Sequence, residues 1–257
     1  MNLKNNKLKY YLKNNIQSYG SWITISSPLI PEILGIAKFD WLCIDIEHSS
    51  IDLNELLNII ISIENNNLIP LVRVGDNDPN LIKRVMDLGA YGVIVPNIKN
   101  SEEAIRAVNS VRYPPLGKRG VGLFRAQKFG KKFDNYKQWL KNESLVIIQI
   151  EHIDAVNNID EIFSVKGIDA FMIGPYDLSG SVNKTGKLND PVVKSLIQKI
   201  LKAGKKHSIT AGIHSVSSNP KDAIKYKKLG FKFLAISLDS IFLIDKAVKT
   251  LEEVRKK

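Results

Sequence analysis

Short runs rich in Ile, Val and Leu return along the chain, each followed by a segment with helical start and stop signals. They lie at Ser21 to Ser26, Trp41 to Asp45, Pro70 to Val74, Gly92 to Pro96, Leu145 to Glu151, Ala170 to Gly174, Thr210 to His214 and Phe233 to Ser237. None alternates strictly between apolar and polar residues, which is the pattern of strands covered on both faces, as in a parallel sheet wrapped by helices. Eight strand–helix units close a barrel, and 257 residues with 44% hydrophobic content is the size of one such domain. The expectation is an α/β chain folded as a (β/α)8 TIM barrel over residues 1–257, with a basic N-terminal extension over about 1–18. A doubly wound open sheet is the competing architecture, and no glycine-rich dinucleotide turn follows the first strand to support it.

Helix boundaries are marked by side chains that satisfy free N–H groups. Asp78-Pro79, Asp190-Pro191 and Asn219-Pro220 each place a capping residue before a proline, whose missing N–H costs nothing in the first helical position. Asp52 with Glu55 reads as a capping box, Ser101 and Asp154 as two further caps, and Gly89 and Gly230 as left-handed stops. More than forty residues separate the fourth and fifth strands, and Tyr113-Pro-Pro-Leu-Gly-Lys-Arg-Gly-Val-Gly122 lies among them. Loops of that length in a barrel usually serve as lids or subunit contacts.

The single cysteine, Cys43, sits inside an apolar strand, which excludes an internal disulfide and points to a core thiol in a reducing cytoplasm. No signal peptide and no run of ~20 apolar residues is present, so neither export nor a membrane span is expected. The net charge of +11 is dispersed over helices and the tail Arg255-Lys-Lys257, as on a solvated surface, and nucleic acid is set aside as a partner.

Active sites of parallel barrels lie at the carboxyl ends of the strands. There the chain sets Asp45, Glu47 and His48 after the second strand, Arg73 at the third, Glu151 after the fifth, Asp177 after the sixth and His214 at the seventh. Two acids ending buried strands would repel one another without a cation, and a hard divalent ion with oxygen ligands answers that need. No strand ends on a lysine, so Schiff-base catalysis is not indicated. His152 should point away from Glu151 in a packing role, and His207 should be exposed. His214 has a functional position but no assigned task.

The segments Phe39-Asp-Trp-Leu-Cys-Ile-Asp-Ile-Glu-His48, Pro70-Leu-Val-Arg73, Leu81-Ile-Lys-Arg-Val-Met-Asp-Leu-Gly89, Arg119-Gly-Val-Gly122, Gln149-Ile-Glu151 and Ile173-Gly-Pro-Tyr-Asp-Leu-Ser179 resemble the HpcH/HpaI family of pyruvate-dependent class II aldolases. The resemblance runs in order over nearly the whole chain. It implies a barrel of the phosphoenolpyruvate/pyruvate type, usually a homohexamer with its last helix exchanged between subunits. It also implies reversible cleavage of a 4-hydroxy-2-oxo acid, including those of sugar-acid origin, to pyruvate and an aldehyde. The cofactor implied is a divalent metal, Mg²⁺ or Mn²⁺ with Co²⁺ a further candidate, held by Glu151 and Asp177. Arg73 would meet the pyruvate carbonyl, Gly174, Pro175, Tyr176 and Asp177 would bind the substrate carboxylate, and His48 would be the base, working through a water on the metal. Asp87 corresponds to the acid that orients it, although on its helix a plain surface carboxylate reads equally well. After His48 the chain continues Ser49-Ser-Ile51 where many relatives carry Ala-Pro-Asn, and Leu123-Phe-Arg-Ala-Gln127 replaces smaller residues, so the aldehyde stays open. A lyase of citramalyl- or malyl-CoA type on the same barrel and a non-catalytic basic barrel are the alternatives.

Overall fold

A computed structural model describes residue 3 and residues 5–256. Its elements in chain order are α1 (Lys7–Lys13), β1 (Ser18–Ile23), α2 (Leu29–Ile36), β2 (Trp41–Asp45), α3 (Leu53–Asn65), β3 (Ile69–Arg73), α4 (Pro79–Leu88), β4 (Gly92–Val95), α5 (Ser101–Val111), α6 (Phe133–Glu143), β5 (Leu145–Ile150), α7 (Ile153–Asn157), α8 (Ile159–Ser164), β6 (Ala170–Ile173), α9 (Pro175–Gly180), α10 (Pro191–Lys206), β7 (Thr210–Ser215), α11 (Pro220–Lys228), β8 (Phe233–Leu238) and α12 (Asp239–Arg255). The strands pair in sequence order, all parallel, and β8 returns to β1 to close the (β/α)8 barrel.

The absence of alternation along the strands now has its cause. Trp41, Cys43, Leu71, Ile94, Ile147, Met172 and Phe233 pack in one cluster inside the barrel. Their neighbours Leu42, Ile44, Val72, Val93 and Ile148 join the larger cluster that faces the helices. Gly20 is required by the inner packing, because a Cβ there would lie 2.1 Å from the Trp41 indole. Cys43 is fully buried and its thiol is pushed well up by burial, as befits a core residue.

The N-terminal segment is a folded stopper rather than an extension. Asn6 caps α1 by accepting from the N–H groups of Leu8 and Lys9, and Leu8 and Leu12 complete the inner cluster. Burying two such leucines contributes about 1.5–3 kcal/mol each. The Asn6 N–H donates to Glu143 Oε2 at 2.7 Å, while Lys9 pairs with Asp169, which also holds Arg112 Nη2 at 3.2 Å. Met1, Asn2, Lys4 and Lys257, part of the expected extension and tail, lie outside the described residues.

Asp52, Asp78, Asp190 and Asn219 cap their helices as expected, and Gly89 adopts φ 105°. Two caps differ. Asn100, in extended backbone, accepts from Glu103 N–H and makes Ser101 the first helical residue. His152 Nδ1 accepts from Asp154 N–H at 3.1 Å and places Asp154 inside the first turn. Strand β1 also starts three residues earlier than the sequence suggests and stops at Ile23. Buried Asp239 explains the early stop, because its carboxylate accepts the N–H groups of Thr24 and Ile25 and draws the chain out of the ladder.

Candidate active site

Register brings the first functional pair together. Asp45 and Arg73 end β2 and β3 and stand opposite one another. Arg73 Nε donates to Asp45 Oδ1 at 3.0 Å and Nη2 to Oδ2 at 2.5 Å, the forked geometry that fixes a guanidinium in direction as well as place. Burial acts to lower the Arg73 pKa, but Asp45 and Glu47 outweigh it and hold it above its ordinary value. Asp45 Oδ1 also accepts the N–H groups of Glu47 at 3.0 Å and His48 at 3.2 Å, so one carboxylate positions both the arginine and the loop that carries the histidine. The guanidinium lies 4.3 Å from the Trp22 ring, and on Trp22 stacks His214, with centroids 5.0 Å apart.

The acids form the second half. Glu151 follows β5 directly and is buried; its Oε1 accepts the N–H of Asn97 at 2.8 Å and its Oε2 accepts from Gln149 Nε2. Asn97 reaches this position in the left-handed region, φ 55°, which asparagine tolerates. Burial raises the pKa of Glu151, the two hydrogen bonds pull against that rise, and Asp177 adds to it. Glu47 is pushed up to about 7 by burial, with Arg73 opposing and the charges of Glu151, Asp45 and Asp177 reinforcing the rise. Asp177 departs from expectation: β6 ends at Ile173, and Asp177 lies in the first turn of α9, exposed rather than buried. The helix starts there because Pro175 occupies its first turn.

These groups suit a hard divalent cation. The buried oxygens Gln149 Oε1 and Glu47 Oε2 have no hydrogen-bond partner, although Arg73 Nε lies 3.2 Å from the latter, and neighbouring carboxylates add to the raised pKa of Glu47 and of Glu151. No group of three or more His, Cys, Asp or Glu side chains that could hold a metal exists among the described residues, so an ion on Glu151 and Asp177 would take its other ligands from water and substrate. Gly174 keeps this space open, since a Cβ there would lie 2.5 Å from Glu151 Oε2 and 3.0 Å from Gln149 Nε2. Gly174→Ala is therefore expected to displace Glu151 and lower turnover by about 10²-fold while the protein stays folded. Steady-state kinetics alongside circular dichroism check this, and full activity in the variant would show that Glu151 need not stand where it does.

A cavity of about 290 Å³ joins Asp45, His48, Arg73, Gln149, Gly174, Pro175, Tyr176, Asp177 and His214. Asp87 is not among them. Expected to orient His48, it sits on α4, where Arg119 Nη2 reaches it at 2.5 Å and Gln127 Nε2 at 3.0 Å, and no hydrogen bond or ion pair joins it to His48. Within one chain Asp87 thus anchors the long β4–β5 loop. His48 is exposed, with Nε2 at 3.8 Å from Glu47 Oε2. His207 is half-buried rather than exposed, its Nε2 2.7 Å from Asp160 Oδ1 and its ring edge-on to Phe163. Sequence reading missed Trp22 and the buried amide of Gln149. A tryptophan on the inward face of a strand that also carries an obligatory glycine was the available signal for the first.

A fixed arginine and a carboxylate pair on the C-terminal rim of a parallel barrel stand where enzymes of this fold carry their active sites. The sequence profile of the HpcH/HpaI aldolase/citrate lyase family matches residues 18–246. The 5-keto-4-deoxy-D-glucarate aldolase of Enterobacter sp. (strain 638) is 37% identical over 235 residues, covering 91% of each chain. An HpcH/HpaI aldolase/citrate lyase family protein from Burkholderia cenocepacia J2315 superposes with a TM-score of 0.93 at 32% identity, over 97% of this chain and 99% of that one. The citrate synthase SbnG superposes with a TM-score of 0.86 at 28% identity, over 97% of both chains. The chain belongs to the HpcH/HpaI aldolase/citrate lyase family, and is an aldolase of the aldehyde-lyase class.

Proposed function

We propose that the protein reversibly cleaves a 4-hydroxy-2-oxo acid of sugar-acid type to pyruvate and an aldehyde, with a divalent metal as cofactor. The observation that carries this reading is the meeting of a forked Arg73 with Asp177 in one rim cavity, beside the buried Glu151, whose pKa burial raises and Asp177 raises further. The 37% identical relative, named for a keto-deoxy sugar acid, supports the substrate class. Glu151 and Asp177 would hold the ion, which when bound supplies Lewis-acid charge at the 2-oxo group. Arg73 faces the same oxygen and stabilises the enolate charge left when the C3–C4 bond breaks. His48 takes the proton of the 4-hydroxyl, and its exposure suits exchange of that proton with solvent. First-turn N–H groups of α9, those of Tyr176 and Asp177, are free of helical partners and can bind the substrate carboxylate with Gly174 and Pro175 shaping the turn. The test is pyruvate release, followed with coupled lactate dehydrogenase, from 4-hydroxy-2-oxo acids and CoA esters with and without Mn²⁺ or Mg²⁺. Metal-dependent release from the free acids supports the reading; release from CoA esters alone overturns it.

We also read the protein as a cytoplasmic homo-oligomer, with the hexamer as the expected state. The buried lone thiol agrees with a reducing compartment, and no described helix is long and apolar enough to cross a membrane. The oligomer rests on α12, where Leu243, Ile244, Val248, Leu251 and Val254 are 66%, 52%, 46%, 49% and 65% exposed. Leu29, Ile33 and Ile36 of α2 are exposed as well. Faces this apolar normally pack against a partner. Light scattering at micromolar concentration should therefore show an assembly, and a monomer would defeat this assignment.

A further inference from the structure

The chemistry above leaves one half-buried imidazole on the cavity wall without a task. His214, in the last turn of β7 before the rim, lies between the site cavity and a second cavity of about 320 Å³ that is lined by residues of α10 and α11; it borders both. Its Nε2 is 2.9 Å from the carbonyl oxygen of Ser237. A carbonyl can only accept, so Nε2 carries the hydrogen and in the neutral ring Nδ1 carries the lone pair. The ring is neutral near pH 7, because burial lowers its pKa to about 4, an effect the Ser237 hydrogen bond opposes and the Arg73 charge reinforces. Among the described residues Nδ1 has no hydrogen-bond partner, and it is not one of the sealed unpartnered polar atoms, so it opens onto cavity space.

The tautomer is set by a built feature of the sheet. Ser237 is fully buried in the left-handed region, φ 53°, and the β1–β8 register slips between Gly20 and Trp22 opposite it. Ser237 Oγ donates to the Val216 carbonyl at 3.1 Å, and Ser21 Oγ donates to the Ser237 carbonyl at 3.3 Å. A non-glycine residue is held in such a conformation only where its surroundings over-determine it, and bulges beside active sites commonly re-aim a neighbouring group. Here the re-aimed group is the carbonyl that fixes His214. The ring stacks on Trp22, and Met172, Val216 and Leu238 supply apolar wall to the same cavity, while Arg73 and Asp45 supply its charged side.

We propose that His214 is a specificity-determining residue whose Nδ1 accepts a hydrogen bond from a substrate hydroxyl, so that the enzyme selects hydroxylated carbonyl partners over their deoxy counterparts. The inference rests on the aldolase reading and adds to it the part of the substrate that the loops left open. An acceptor on an apolar wall goes unpaired when the substrate lacks a donor, and sites of this kind discriminate by about 10- to 100-fold or more.

The experiment measures kcat/KM for condensation by the metal-loaded enzyme with matched pairs: glycolaldehyde against acetaldehyde and glyceraldehyde against propanal with pyruvate, then hydroxypyruvate against pyruvate with one common aldehyde. It is repeated with His214→Phe, which keeps a ring against Trp22 and offers no acceptor, while the Ser237 carbonyl keeps Ser21 Oγ. The wild type should prefer the hydroxylated member by about 10-fold or more in at least one pair, and the variant should lose that preference through a raised KM for that member. No preference in the wild type, a preference unchanged in the variant, or equal losses on both members of every pair would overturn the proposal. The wild-type ratios decide the matter even if the variant does not fold. Absence of condensation with every pair would count against the aldolase reading instead, so the two failures are distinguishable.

Discussion

Arg73→Ala is expected to cost about 10²- to 10³-fold in both aldol cleavage and oxaloacetate decarboxylation, the range typical of removing one preorganised donor from a developing oxyanion. Both reactions pass through the pyruvate enolate, and no other cation among the described residues lines the site cavity. Asp45 would lose its forked partner and keep only the two loop N–H groups, so a shift of the His48 loop is part of the expected cost. His48→Ala should behave differently. It should lower aldol cleavage by roughly 10²- to 10⁴-fold, as general-base help usually contributes, and leave decarboxylation far less affected because no 4-hydroxyl loses a proton there. The two rates measured on one metal-loaded preparation check this, with metal content confirmed. Equal losses in both reactions for the histidine variant would remove the division of labour.

The second large effect concerns the acids, and its sign differs between binding and folding. Glu151→Gln and Asp177→Asn should each raise the dissociation constant for Mn²⁺ by at least about 10²-fold, since each removes half of the anionic ligand charge. Calorimetric titration reads this without reference to turnover. In the metal-free protein Glu151→Gln should raise the melting temperature, whereas Asp177→Asn should change it little. Burial holds the pKa of Glu151 above its ordinary value, so its charge opposes folding at neutral pH, and the neutral amide removes that penalty. A glutamine can still accept the Asn97 N–H, and its amide can donate to the unpartnered Gln149 oxygen once that side chain turns. Asp177 is exposed and enters only as a minor contributor to the rise at Glu151, so its neutralisation changes little. Unchanged Mn²⁺ affinity in both variants, or full wild-type activity after exhaustive chelation, would make the metal assignment untenable.

The barrel was legible because two-sided burial leaves a composition that no half-exposed strand shares, and capping chemistry is local. Trp41 to Asp45 matches β2 at both ends, since apolar residues fill it and Phe39-Asp40 and Ile46-Glu47 bound it. Strand β1 was harder: Ser18-Tyr-Gly-Ser21 is polar and small, and only the β8 ladder and the Trp41 indole over Gly20 make it a strand. The placement of Arg73, His48 and Glu151 at the carboxyl ends of strands was legible, and the structure sets each of them at that rim. Asp177 was read as a strand end because Gly-Pro-Tyr conceals a helix start, and the pairing of Asp87 with Arg119 joins residues that no local pattern links. Trp22 meets Arg73 across the barrel, whereas Gln149 acts on Glu151 only two residues along, a contact that depends on both side chains turning to one side.

The stopper α1 has a consequence for the order of assembly. Helix α1 precedes every strand, yet its leucines sit among side chains of β2, β3, β5, β6 and β8, so their seat is complete only when the last strand has been made. Synthesis therefore leaves Leu8 and Leu12 waiting, and their docking belongs with late closure of the ring, when residues 18–23 meet residues 233–238. The first and last strands of the barrel become structured together, and the cavity wall built from Trp22 of β1 and from His214, held by the carbonyl of Ser237 in β8, takes shape in that same event.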